Sequence, residues 1–195
     1  MSELITIDTG NSSARYEPYS LVAEEDAILS KPTEIFDFSV DTNAVELAGR
    51  LVETVKLHRA YGLAAPQCGI SSRVFVMGAE NDYIVVFNPE IISSSKSLHM
   101  EEGCLSFPFL VLSITRPEEI EVKYQSENGD TINRIFGGIS ARIFQHELDH
   151  LNGITFDKVA KSMAFRMGMK KREKQIKKFA RNLIQQGRYD SAKSS

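Results

Sequence analysis

Apolar positions along the chain change period several times, and each change predicts an element. The first 20 or so residues are polar and without periodicity, as expected of a flexible arm. In "VDTNAVELAGRLVETVKLHRAYG" the residues Ala48, Leu51, Val52 and Val55 recur at the spacing of an amphipathic helix. Asp41, Thr42 or Asn43 is placed to cap its start, and Gly62 follows its end. "RVFVMG" and "YIVVFNP" are short, β-branched and aromatic, and predict strands. "EEIEVKYQ" alternates Ile120, Val122 and Tyr124 and leads through Asn128-Gly129, a hairpin signal, into "TINRIF". "GGISARIFQHELDHLNG" predicts a helix in which Ile139, Ile143, His146 and His150 share one stripe. A last helix carries Ile176, Phe179, Ala180, Leu183 and Ile184 as an apolar stripe among lysines. The pattern is α+β.

Composition narrows the class. The chain has 195 residues, 42% hydrophobic and 25% charged, which suits one soluble domain with a proper core. No apolar run approaches the roughly 20 residues that span a bilayer, so no membrane partner is expected. The N-terminus has neither an apolar core nor a basic cluster, and the expected location is cytoplasmic. Cys68 and Cys104 could form one disulfide, but a cytosolic compartment would keep them reduced. The net charge of −3 conceals an asymmetry: from Asp157 onward there are 12 Lys or Arg against 3 acids, leaving 11 basic and 23 acidic residues before it.

The chemistry concentrates in "QHELDHLNGI". His146 and His150 lie four apart, so on a helix both imidazoles face the same way and can hold one metal ion. Glu147, directly after the first histidine, suits a general base for water activated by that metal. A catalytic site of this type needs a third protein ligand and an open position. Downstream only Asp157, Glu173 and Asp190 are available, in no recognisable ligand pattern, and the other histidines, His58 and His99, are isolated. Upstream, Cys104 in "EEGCLSFP" offers a thiolate, which with two histidines would make a Cys/His2 site. Spacing alone leaves this open, because 42 residues separate Cys104 from His146. A metalloprotease, an amidase of another kind and a non-enzymatic chain with a structural metal all remain as readings.

Three stretches in order, "GLAAPQCGI" at 62–70, "EEGCLSFP" at 101–108 and "QHELDHLNG" at 145–153, resemble the peptide deformylases. "FNPEI" and "RPEEIEVKYQSENGD" extend the resemblance over residues 20–160. It implies antiparallel sheets packed around a central helix that carries the His-Glu-x-x-His motif, followed by a C-terminal helix. The corresponding organisation is an arm at 1–20, a catalytic domain at 21–160 and a basic helix and tail at 161–195. The implied activity is removal of formate from the N-terminal formyl-methionine of new polypeptides. By position the resemblance makes Cys104, His146 and His150 the ligands of one divalent metal per chain. It implies that Fe2+ is the native metal, which Zn2+, Ni2+ or Co2+ can replace. Glu147 becomes the acid–base, and Gln67 with the backbone N–H of Leu105 holds the formyl oxygen. Gly62 and Gly103 border the peptide, and Tyr61, Met100, Ile139 and Ile143 are candidates for the methionine pocket.

Two positions depart from the family pattern. Ala60 stands where a glycine is usual, and Val111 where many bacterial members carry an arginine that can meet the substrate's carboxyl side. Arg116 matches a family arginine and is a candidate charge partner behind the site. The basic C-terminal stretch has two readings: a solvated helix packed on the body by Ile176, Phe179 and Leu183, or a docking element for a polyanion such as ribosomal RNA. The family resemblance favours the ribosome as partner beside the nascent peptide itself.

Overall fold

The computed structural model describes residues 16–80 and 82–193, with side chains up to Gln186. Among these are four α-helices, α1 (Ala44–Leu57), α2 (Gly138–Leu151), α3 (Phe156–Val159) and α4 (Ser162–Lys193). The strands are β1 (Gly62–Ala64), β2 (Val74–Ala79), β3 (Asp82–Ser94), β4 (Ser97–Gly103), β5 (Val111–Pro117), β6 (Glu119–Gln125) and β7 (Thr131–Gly137). Helix and antiparallel sheet are mixed, as the periodicities predict. The fold divides into two compact units. One is Met1–Leu98 with Arg116–Thr155, the other His99–Thr115 with Phe156–Ser195. This division differs from the boundary expected at residue 160.

In the first unit the strands form one antiparallel sheet in the order β1-β2-β3-β6-β7. β3 outruns its predicted segment and bends where its register against β6 shifts, between Phe87 and Glu90 and again between Ile91 and Ser93. Asn88 lies at this irregularity with φ 49°, a conformation asparagine tolerates better than most residues. Its amide repairs the broken ladder: it accepts from Phe36 N–H at 2.9 Å and donates to Phe36 O at 2.8 Å and Gln125 Oε1 at 2.7 Å. The predicted β6–β7 hairpin is present, and Gly129 (φ 84°) takes the left-handed position its turn requires.

The sheet is covered by α2 through Ala141, Phe144, Leu148 and Leu151, which pack with Phe75, Val86, Ile120, Val122 and Phe136. Phe144 meets Phe75 edge-on at 5.1 Å between ring centroids. The buried apolar face of α2 is therefore not the expected Ile139/Ile143/His146/His150 stripe. Of that stripe Ile139 is 57% exposed, while Ile143 packs at the edge of this core and the two histidines are buried. α1 buries Leu47, Ala48, Leu51 and Val55 as its period predicts. Its N-cap is Asn43, without a side-chain cap, and it ends at Leu57, a few residues before Gly62.

Residues 1–15 of the expected arm lie outside the described residues, but residues 16–20 are held against α1. Tyr19 N–H donates to Thr54 Oγ1 at 2.8 Å, Arg50 Nε donates to Glu17 O at 2.9 Å, and the Arg50 guanidinium sits 3.9 Å over the Tyr19 ring. Polar composition alone predicts a loose arm here, but Arg50 and Thr54 fasten it at Glu17 and Tyr19.

In the second unit Phe107, Leu110, Leu112, Ile114 and Phe156 form a small core, joined by Cys104, Ala160 and Phe165. Gly168 lets α4 approach closely: a Cβ there would collide with Leu112 and come within 3.0 Å of Val111 O. Arg172 Nε then donates to Pro108 O at 2.9 Å, and Phe179 meets Phe109 at 5.4 Å between centroids. Apart from Phe179 the expected packing of the α4 stripe fails: Ile176, Leu183 and Ile184 are exposed. Among the described residues no helix is long and apolar enough to cross a membrane.

Candidate metal centre

The middle of α2 places its polar side chains inside the protein. His146, Glu147 and His150 are 8%, 4% and 1% exposed. The helix repeat puts the two imidazoles on one face, with centroids 5.2 Å apart and planes at 72°. Neighbouring polar residues fasten the helix in register. Gln145 Nε2 donates to Pro117 O at 3.0 Å, and Arg142 Nη2 donates to Leu98 O at 2.6 Å. The Arg116 guanidinium, 6% exposed, pairs with Asp149 at 2.7 Å. This charge partner, suspected for Arg116 from sequence, is the residue directly before His150. Asp149 itself was missed, since nothing in its local pattern separates it from a solvated helix acid.

The ligand atoms of Cys104, His146 and His150 lie within 4.8 Å of one another. Among the described residues this is the one such group of His, Cys, Asp or Glu side chains. Asp157, Glu173, His58 and His99 stand outside it; His99 instead bonds Thr115 at 3.0 Å and Ser113. No disulfide joins Cys68 and Cys104. A soft thiolate with two imidazoles suits a divalent first-row metal and leaves one tetrahedral position open. Burial, then the neighbouring His146 and Arg116, holds His150 well below the usual imidazole range. It is thus neutral at physiological pH, the form that ligates metal.

A profile of the family "Polypeptide deformylase" matches residues 18–165. The chain belongs to this family. The peptide deformylase of Thermotoga neapolitana is 41% identical over 154 residues, covering 78% of this chain and 90% of that protein. Among solved structures, a peptide deformylase from Legionella pneumophila superposes with a TM-score of 0.75 at 31% identity, covering 84% of this chain and 98% of the other. The Met-Ala-Ser-bound class I type b peptide deformylase from Acinetobacter baumannii superposes with a TM-score of 0.69 at 32% identity, covering 74% and 99%.

The other deformylase motifs fall in defined places. Gln67 lies within a 3-10 turn, Ala65–Cys68, and at 2% exposure it is no surface amide. Its Oε1 accepts from Ala64 N–H at 2.9 Å, which orients the amide so that Nε2 is the donating end. Its carbonyl accepts from Val22 N–H at 2.9 Å, so the segment after the arm braces the turn. Cys68 beside it is a poor nucleophile, because burial pushes its thiol up to about 12. Leu105, half-buried, lies in the turn after β4 and Cys104. Tyr61 (64%) and Ile139 are exposed and Met100 is half-buried, whereas Ile143, also half-buried, packs at the edge of the core.

Proposed function

We propose that Cys104, His146 and His150 hold the single divalent metal of a peptide deformylase and that Glu147 is its acid–base. The chain is a metal-dependent hydrolase that removes the N-formyl group from the N-terminal methionine of newly synthesised polypeptides. The observation that carries the residue assignment is the convergence of one thiol and two buried imidazoles, with a buried carboxylate next in sequence to one of them.

When bound, the metal supplies a nucleophile at neutral pH by lowering the pKa of a coordinated water from about 15.7 to about 7. The protein's own groups do the rest. Glu147 accepts the proton of the attacking water and delivers one to the departing nitrogen. The C–N bond breaks, and formate and the free methionyl amine leave. The contribution of such a positioned acid–base is roughly 10²–10⁴ in rate. Gln67 Nε2 and the Leu105 N–H donate to the formyl oxygen as negative charge develops on it; each such donor is worth on the order of 10²–10³. The fixing of Gln67 by Ala64 supports this role, since a donor that is already oriented needs no reorganisation during the reaction.

Tyr61, Met100, Ile139 and Ile143 line the methionine side in this reading, and Gly62 and Gly103 the peptide backbone. The exposure of Tyr61 and Ile139 supports contact with a ligand over core packing. Iron(II) is the proposed native metal, and its thiolate ligand would make the site sensitive to oxygen. The basic face of α4, with exposed Lys170, Lys174, Lys177, Lys178 and Arg181, is proposed to dock on ribosomal RNA in the cytoplasm.

The test is formate release from a formyl-methionyl tripeptide by protein purified without oxygen, beside Glu147→Gln. About one metal per chain in both proteins, with turnover in the native chain alone, is the expected result. Equal turnover in the two would remove Glu147 from its role.

A further inference from the structure

Gly62 stands in β1, antiparallel to β2 and paired with Met77. The strand passes directly over the face of α2 that carries the reactive carboxylate. A Cβ added at Gly62 would overlap Glu147 Oε1 and lie 2.9 Å from both Glu147 Cδ and Ile143 Cγ2. Cβ atoms in real proteins do not come that close to neighbours, so something would have to move.

Three observations say what moves and why glycine is needed. First, the backbone makes no demand. Gly62 is absent from the positive-φ residues, in contrast to Gly69 at φ 78° a few residues on, so alanine can adopt its conformation. Second, the strand cannot easily retreat. It is hydrogen-bonded into the sheet along Gly62–Ala64, its neighbours Leu63 and Ala64 are fully buried, and the Tyr61 carbonyl accepts from Gly78 N–H at 2.9 Å. Third, the nearest atom in the way, Glu147 Oε1, is the far end of an unbranched side chain, while Ile143 Cγ2 is one methyl group of a half-buried residue and needs to give by only a few tenths of an ångström. Reorienting Glu147 moves one side chain, whereas shifting β1 or α2 disturbs the core around Phe75 and Phe144. The carboxylate is the part that yields.

We infer that Gly62 is a positioning residue for Glu147: its missing side chain is the space the acid–base carboxylate occupies. The inference rests on the acid–base role proposed for Glu147, and it assigns Gly62 a task beyond letting a peptide backbone pass. Enlarging residue 62 leaves the fold and the metal ligands in place and turns the carboxylate away from the bond being cleaved.

The experiment compares Gly62→Ala in two backgrounds, native and Glu147→Asp, whose carboxylate is one methylene shorter and withdraws from the added methyl group. Thermal midpoint and metal content of Gly62→Ala should match the native chain. Its kcat should fall by about 10²-fold, the usual scale for a displaced catalytic group, while KM stays within about threefold. Calorimetry should give Met-Ala-Ser the same Kd for Gly62→Ala as for the native chain. In the Glu147→Asp background, the same glycine change should cost less than about threefold further. An equal loss in both backgrounds, or a weakened Kd for Met-Ala-Ser at unchanged kcat, would overturn the inference and leave Gly62 as a substrate contact only. A crystal structure of Gly62→Ala separates this outcome from failure of the deformylase reading itself. A rotated Glu147 carboxylate with β1 unmoved supports the inference even if no formate is released. An unmoved carboxylate with β1 lifted from α2 refutes it.

Discussion

At the scale of single residues, polar groups are buried where each has a defined partner or task. Gln67 is the clearest case, because its side-chain oxygen is committed to Ala64 N–H. Gln67→Ala should lower kcat by on the order of 10²–10³ with metal content unchanged, as steady-state kinetics and metal analysis would show. A thermal midpoint falling in step with activity would instead mark the residue as a brace for the turn. Cys68 gives a pH signature separate from catalysis. Its folded thiol is raised from 9.0 to about 12 by burial, partly offset by Arg50. The native state therefore keeps the proton while the unfolded chain releases it, and the associated stability is complete below about pH 9 and lost as pH rises toward 12. Between pH 8 and 10.5 the native chain should lose about 1–2 kcal/mol more than Cys68→Ala in urea unfolding. Native Cys68 should also resist alkylation at pH 8.

Among elements, α2 carries the most constraint. Its apolar face was expected to be continuous with the histidines, but the core contacts run through Ala141, Phe144, Leu148 and Leu151. This separation lets one face hold the sheet while another is reserved for chemistry. The Arg116–Asp149 pair ties the last turn of α2 to β5 close to His150. Removing one member leaves a largely desolvated charge. Arg116→Met alone should destabilise the protein by about 3 kcal/mol, whereas Arg116→Met with Asp149→Leu should recover most of that in chemical denaturation. If the double change is as damaging as the single one, the pair matters for local geometry and not for charge balance. The arm is legible only in part for a similar reason. Nothing in "YEPYS" announces order, yet Arg50 and Thr54, 30 or more residues later, fasten it.

At the scale of the whole molecule, the charge asymmetry seen in the sequence settles on α4. Up to Arg172 this helix is fixed by Gly168 and by the bond to Pro108; over residues 173–186 basic and apolar side chains alike are exposed, with Phe179 resting on Phe109. Removing residues 175–195 should thus leave formate release within about twofold, because the core around Phe165 is kept. If α4 docks on ribosomal RNA as proposed, the same truncation, which removes Lys177, Lys178 and Arg181, should weaken co-sedimentation with ribosomes and flatten its salt dependence. Co-sedimentation that survives the truncation undiminished, or that is indifferent to salt, would point to another part of the surface.

The sequence by itself determined the mixed helix and antiparallel-strand class, the positions of most strands, the β6–β7 turn and the family. These depend on local spacing: period two for strands, an i, i+4 pair for the histidines, glycine at a left-handed turn position. Tertiary structure alone decided the rest. The gathering of Cys104 with two histidines 42 and 46 positions away could be suspected from resemblance but not computed from spacing. Which face of α2 meets the sheet, the partner of Arg116, the anchoring of Tyr19 and the space beneath Gly62 are all contacts between segments remote in sequence. Such contacts are fixed by packing, where one element's requirement is met by whatever side chain another element happens to present, and so they leave no periodic trace in the chain that carries them.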